Sequence, residues 1–128
     1  MAYNILVVDD SSVMRTMIIK SLGMSGVELG AVHQAANGSE GLKALGENWI
    51  DLVIVDINMP VMNGEEMIEN MQQSAEMSSI PVIVVSTEGS EKRIEQLKQR
   101  GVKFIHKPFT PENVRDAIRE IMEENHGN

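Results

Sequence analysis

Cysteine is absent from this chain of 128 residues, which excludes disulfide staples and thiolate-bound metals. Aromatic side chains are nearly as scarce, at four (Tyr3, Trp49, Phe104 and Phe109), against ten methionines, which read as deformable core filling rather than as a dedicated partner groove. Positive charge is also short: 11 Lys and Arg face 19 Asp and Glu, and the resulting −8 repels a phosphate backbone, so direct nucleic-acid binding is not expected. Long hydrophobic runs are missing. Leu52 to Val55 and Val82 to Val85 are far shorter than the ~20 apolar residues of a membrane helix, so no membrane insertion is expected. No basic leader with an apolar core opens the chain, and a cytoplasmic location is the simplest expectation. Linkers, repeats and low-complexity segments are lacking too, so residues 1–128 read as one domain with one site.

What is present is a regular alternation. Ile5 to Val8 is a short continuous apolar run that ends at Asp9-Asp10, the pattern of a strand buried on both faces. Ser11 or Ser12 can cap the following helix, where Met14, Met17, Ile18 and Leu22 recur at intervals of three and four before Gly23 and Gly26 punctuate the chain. A second strand falls within Glu28 to Ala36, then a turn at Asn37-Gly38 and a short helix carrying Leu42 and Leu45; Gly38, Gly41 and Gly46 serve turns and the termini of that helix. Leu52 to Val55 repeats the first pattern and runs into Asp56, a loop with Met59-Pro60 and Asn63-Gly64, and a helix carrying Met67, Ile68 and Met71. Val82 to Val85 ends in Ser86-Thr87, a helix spans Glu91 to Arg100 with Gly101 as its stop, and Val102 to His106 is the fifth strand. Thr110 caps a last helix with Pro111 at its first position and Val114, Ala117, Ile118 and Ile121 on one face. Five strand-helix pairs predict an α/β fold, a doubly wound five-stranded parallel sheet, with the ligand crevice beyond the carboxyl ends of the strands.

Those ends carry the chemistry. Asp9-Asp10, Asp56, Ser86 and Lys107 follow strands one, three, four and five, so the fold alone gathers them at one edge. Carboxylates converging at about 5 Å repel by roughly 3 kcal/mol per pair at an effective dielectric near 20. Either one acid takes up a proton or a cation sits among them, and an all-oxygen set beside a lysine suits Mg²⁺ better than zinc or copper. Taken singly, each residue has a plainer reading: Asp9 as a turn former, Ser86 as a loop hydroxyl, Lys107 as a surface charge, Phe104 as a core aromatic. Pro108 adds weight to Lys107, because a cis bond there can fix a tight turn that aims the ammonium inward. His33, His106 and His126 show no metal-ligand spacing and read as surface or turn residues.

The blocks Val7-Val8-Asp9-Asp10-Ser11, Val55-Asp56-Ile57-Asn58-Met59-Pro60-Val61-Met62-Asn63-Gly64, Val85-Ser86-Thr87-Glu88 and Lys107-Pro108-Phe109 resemble the signature blocks of response-regulator receiver domains, in order and across the chain. Within that family the likeness is nearest to single-domain chemotaxis regulators of the CheY type. The resemblance implies a (βα)5 flavodoxin-like fold and a two-component switch without an output domain. It implies that Asp56 accepts a phosphoryl group from a histidine kinase, that Asp56, Asp10 and the carbonyl of Asn58 hold Mg²⁺, and that Asp9 acts largely through a metal-bound water. By the same likeness Ser86 and Lys107 bind phosphoryl oxygens, Phe104 swings inward when Ser86 moves, and a downstream protein such as a flagellar motor switch reads the last two helices and fifth strand. The only catalysis implied is of the switch's own phosphorylation and slow dephosphorylation.

Phosphoryl transfer needs an in-line oxygen nucleophile, a divalent cation and a fixed positive charge, and the residues offer the nucleophile, acidic ligands for the cation and the lysine independently of any likeness. Thr87 departs from the small residue common at its position, which implies tighter access to Asp56, and Gly23 to Val32 looks longer than in compact relatives. Asn58 and Glu88 stand where the family tunes dephosphorylation. Two other functions compete. A haloacid-dehalogenase-like phosphatase expects Asp-x-Asp after the first strand, where Asp9-Asp10-Ser11-Ser12 stands. A flavodoxin-like mononucleotide binder expects hydroxyls and backbone amides rather than an acidic doublet.

Overall fold

In the computed structural model, which describes residues 2–126 with side chains to residue 123, strands and helices alternate without exception. They are β1 (Tyr3–Val8), α1 (Ser12–Met24), β2 (Leu29–Ala35), α2 (Gly38–Glu47), β3 (Leu52–Val55), α3 (Gly64–Gln73), β4 (Val82–Ser86), α4 (Glu91–Gln99), β5 (Lys103–His106) and α5 (Pro111–His126). All pairings are parallel, in the order β2-β1-β3-β4-β5. The order reverses at β1, so the crevice expected at such a switch point lies beyond the carboxyl ends of β1 and β3.

The continuous apolar runs follow from burial on both faces. Along β1, β3 and β4 alternate side chains point to opposite sides. Ile5, Val7, Leu52, Ile54, Ile83 and Val85 pack with Ile18 and Leu22 of α1 and with Val114, Ile118 and Ile121 of α5. Leu6, Val8, Val53, Val55, Val82 and Val84 pack with Leu45 of α2, with Met67, Ile68 and Met71 of α3, and with Leu97 of α4.

Helix starts follow cap chemistry. Ser11 is the cap of α1 and accepts the Met14 N–H; Asn37, Asn63 and Ser90 cap α2, α3 and α4 in the same way. At α3 the Glu66 side chain returns a bond to the Asn63 N–H, completing a capping box. Thr110 and Asn113 exchange side chain to backbone bonds at the start of α5.

Several expectations need correction. Met17 is 51% exposed, because the row facing the sheet is Met14, Ile18 and Leu22, and Met17 lies a quarter turn off it. Met24 is exposed as well, so methionine fills the core mainly at Met67, Met71 and Met122. Gly23 does not end α1, which runs to Met24; the turn comes at Gly26, where φ is +85°. Gly41 is inside α2 rather than at a turn, because a Cβ there would lie 2.8 Å from the Met67 methyl of α3. β5 begins at Lys103, with Val102 buried just before it. His33 is half-buried within β2 and His106 is exposed on β5, while the His126 side chain lies outside the described residues.

Candidate functional site

The β1–β3 register pairs Val8 with Val55, so the residues that follow, Asp9 and Asp56, leave the sheet side by side. The Asp56 N–H donates to the Val8 carbonyl at 3.0 Å and the Asp9 N–H to the Ala35 carbonyl at 3.1 Å, so the ladder continues one step past the strands. Carboxylate oxygens of Asp9, Asp10 and Asp56 lie within 4.8 Å of one another; Asp9 is buried, Asp56 half-buried and Asp10 exposed. An all-oxygen, acidic donor set of this reach, open on one side, fits a hard divalent cation.

Lys107 arrives from the far end of the chain. Its N–H donates to the Ser86 carbonyl at 3.0 Å, which continues the β4–β5 ladder past the Ser86–His106 pair. The Lys107–Pro108 bond is cis, as expected. Lys107 Nζ lies 3.2 Å from Asp9 Oδ2 and 3.3 Å from Asp56 Oδ2. The ammonium is thus an internal counterion for two acids, all three side chains being at most 13% exposed. The second oxygens are occupied locally: Asp9 Oδ1 accepts the Ser11 N–H at 2.9 Å and Asp56 Oδ1 the Ile57 N–H at 2.7 Å.

The remaining expected residues surround this centre. Ser86 is fully buried, and its Oγ accepts the Glu88 N–H at 3.2 Å. Asn58 is exposed on the β3–α3 loop, two residues beyond Asp56, and Thr87 is exposed after β4. Phe104 is half-buried, packs against the core under α2 to α4, and meets the His106 ring edge-on with centroids 4.8 Å apart.

Three residues of the surroundings were given no part in the site by the sequence: Arg15 and Arg93 stand outside the motif blocks, and Gly64 read only as a loop residue. Arg15 Nη1 donates to the Asp9 carbonyl at 2.6 Å and its Nε to Gln34 Oε1 at 2.9 Å, tying the acidic loop to α1 and β2. Its place one turn after the Ser11 cap is the signal that could have revealed it. Gly64 approaches so closely that a Cβ would stand 2.2 Å from the Asp56 carbonyl oxygen, and its N–H donates to Ile57 at 2.8 Å. Arg93 joins Glu88, five residues before it, and Glu65, which is 28 residues away and could not be foreseen as a partner. The Glu88 carboxyl is held below the ordinary glutamate range, chiefly by the Ser90 N–H and further by Arg93, while Glu65 raises the Arg93 guanidinium. A lowered carboxyl is ionised at neutral pH, so the Glu88 pairing is intact there and is lost as pH falls through the lowered value.

Comparison with known proteins agrees with this geometry. Residues 5–119 match the family model of the response regulator receiver domain. The chain is 34% identical over 120 residues to chemotaxis protein CheY1 of Helicobacter pylori, covering 92% of this chain and 95% of that one. It is 31% identical over 123 residues to chemotaxis protein CheY-3 of Vibrio cholerae, covering 93% and 91%. Among solved structures, chemotaxis protein CheY4 of Vibrio cholerae superposes with a TM-score of 0.82 at 30% identity, covering 94% of this chain and 99% of that one. A CheY-like receiver domain protein of Methanospirillum hungatei superposes at 0.83 with 26% identity, covering 99% and 98%. No helix among the described residues is long and apolar enough to cross a membrane. With the strand order, the acid cluster and the lysine in place, the chain belongs to the response regulator receiver domain family, whose members are signalling switches.

Proposed function

We propose that this protein is a phospho-accepting switch of a two-component system, acting as a single receiver domain in the cytoplasm, with Asp56 as acceptor and a histidine kinase as donor. The observation that carries the reading is the contact of Lys107 Nζ with both Asp9 and Asp56 inside a cluster of three acids. An Asp56 carboxylate oxygen attacks the phosphorus of the donor's phosphohistidine, a P–O bond forms, the P–N bond breaks, and the imidazole takes up a proton. Lys107 then turns from the carboxylates to a phosphoryl oxygen, and the Ser86 hydroxyl donates to another. Asp9, Asp10, Asp56 and the Asn58 carbonyl would hold Mg²⁺, which when bound supplies positive charge for the phosphoryl oxygens. Hydrolysis returns the carboxylate and inorganic phosphate, and exposed Thr87 beside the site narrows the approach of water or a phosphatase.

Output comes from binding. The phosphoryl group draws the Ser86 hydroxyl toward it, and Phe104, half-buried on β5 beside β4, takes the vacated space. A swing from about 1:99 to 99:1 requires roughly 5.5 kcal/mol, and one bond to a charged group supplies only about 1.5–3. Lys107 and the partner must therefore supply the rest. The partner surface is α4, β5 and α5. The names of the chemotaxis relatives support a downstream target in flagellar control. The test is acetyl phosphate with Mg²⁺ followed by intact-protein mass spectrometry: the wild type gains one phosphoryl group and Asp56→Asn none. An equal mass gain in Asp56→Asn removes Asp56 as acceptor.

A further inference from the structure

Outside the acid cluster, the densest group of charges is Glu65, Glu88 and Arg93, which brings together three parts of the fold. Arg93 Nη1 lies 2.7 Å from Glu88 Oε1, Arg93 Nε lies 2.8 Å from Glu65 Oε1, and Nη2 reaches the same Glu65 oxygen. Glu65 is in the first turn of α3, Arg93 in the first turn of α4, and Glu88 in the loop between β4 and α4. A cation in the first turn of a helix opposes the helix dipole, so Arg93 owes its place to the two carboxylates rather than to α4. The other Glu88 oxygen accepts the Ser90 N–H at 3.0 Å, so both of its oxygens are engaged.

Glu88 is also tied to the proposed switch hydroxyl, since its backbone N–H donates to Ser86 Oγ. If that hydroxyl turns toward a phosphoryl group on Asp56, this bond breaks. The Glu88 N–H finds a new partner only if the loop follows, and the loop cannot follow while Arg93 holds the Glu88 carboxylate against α3. We infer that Arg93 is an electrostatic latch: bridging Glu88 to Glu65, it holds the β4–α4 loop in its unphosphorylated arrangement and lowers the affinity of the Asp56 site for a phosphoryl group. The inference rests on the receiver reading above and adds to it a residue that sets the resting bias of the switch. Arg93 touches none of the reacting atoms. The Arg93 side chain is 32% exposed and that of Glu88 15%, so the latch is screened in part by solvent and its effect is modest.

The test is calorimetric titration of the full chain with beryllofluoride, a mimic of the phosphoryl group, in saturating Mg²⁺, at low and at high salt. Arg93→Ala and Glu65→Gln are each expected to bind the mimic about three-fold more tightly than wild type at low salt, the scale of a partly exposed ion pair. The advantage should shrink at high salt, where the wild-type latch is itself weakened. Arg93→Lys, which keeps the charge and loses the fork, should fall between. Affinity for Mg²⁺ alone should be unchanged in every variant, a result that general loosening of the site would not give. Unchanged or weaker binding of the mimic in both Arg93→Ala and Glu65→Gln, with normal Mg²⁺ affinity, overturns the latch. Should Arg93→Ala fail to fold, Glu65→Gln and the salt series decide alone. A wild type that binds no mimic at all refutes the receiver reading instead.

Discussion

The two edges of the sheet are built from the same strands and do opposite things. At the carboxyl edge, Asp9 and Ser86 are buried, and Lys107 is turned inward against two acids. At the amino edge an open cleft of about 530 Å³ is lined by Leu45, Trp49, Ile50, Met77, Ile80 and Met122. There Trp49 is 79% exposed, and its indole N–H donates to Asp51, whose other oxygen accepts the Asn4 N–H at 2.8 Å. Asp51 ties the entry of β3 to Asn4 of β1, whereas Asp9 and Asp56 share the Lys107 ammonium in a cluster open on one side. An acid's position along the strand therefore decides whether it fastens neighbouring strands or joins a charged centre. Parallel strands all end at the same edge, so the residues that follow them are gathered there.

Substitutions at the two edges should separate chemistry from stability, and the largest effect is expected at Lys107. Lys107→Met leaves Asp9 and Asp56 unpaired, which should cost about 3 kcal/mol of folding stability without Mg²⁺. Much of that loss should return with Mg²⁺; chemical denaturation with and without the cation measures both, and a loss that ignores the cation would break the link between lysine and cluster. Next comes Gly64→Ala, which forces a methyl against the Asp56 carbonyl and should cost about 2 kcal/mol as an overpacked contact. It should also slow phosphoryl uptake from acetyl phosphate, and an unimpaired rate would show that the Asp56 backbone tolerates displacement. Asp10 is the exposed member of the cluster, so Asp10→Asn should relieve no more than about 1 kcal/mol of repulsion, raising the melting temperature of the metal-free protein. The same change should shrink the stabilisation by Mg²⁺, which thermal melts with and without the cation measure, and a shift equal to wild type would remove Asp10 from the metal set. The smallest effect is expected at the amino edge, where Trp49→Ala should alter stability by under about 0.5 kcal/mol and leave phosphoryl uptake untouched. A changed uptake there would erase the division between the edges.

Most of this was legible in the chain because burial on both faces writes itself plainly. Ile5 to Val8, Leu52 to Val55 and Val82 to Val85 are short apolar runs bounded by polar residues and rich in Val and Ile, which marks doubly covered strands, and each runs into a residue of the centre. The caps Ser11 and Thr110 were equally readable, since a short polar side chain before an amphipathic run has one common use, whereas Asn63, the cap of α3, read only as part of a loop. What escaped were lateral contacts. Met17 looked like a core residue because spacing alone does not say which of two adjacent helical rows meets the sheet. Gly41 looked like punctuation because the residue that excludes a side chain there, Met67, lies on another helix. Arg15 and Arg93 were ordinary surface charges until the fold brought Asp9, Glu65 and Glu88 within their reach.

The strand order also dictates how the molecule can be assembled. β2 joins β1, β3 joins the opposite side of β1, and β4 and β5 then extend that side in turn, so no strand is ever wedged between two already paired. Asp9 and Asp56 meet as soon as β3 docks, but Lys107, 98 residues beyond Asp9, is delivered with the last strand. The two acids therefore gain their shared positive partner only when β5, the outermost strand on that side, is in place.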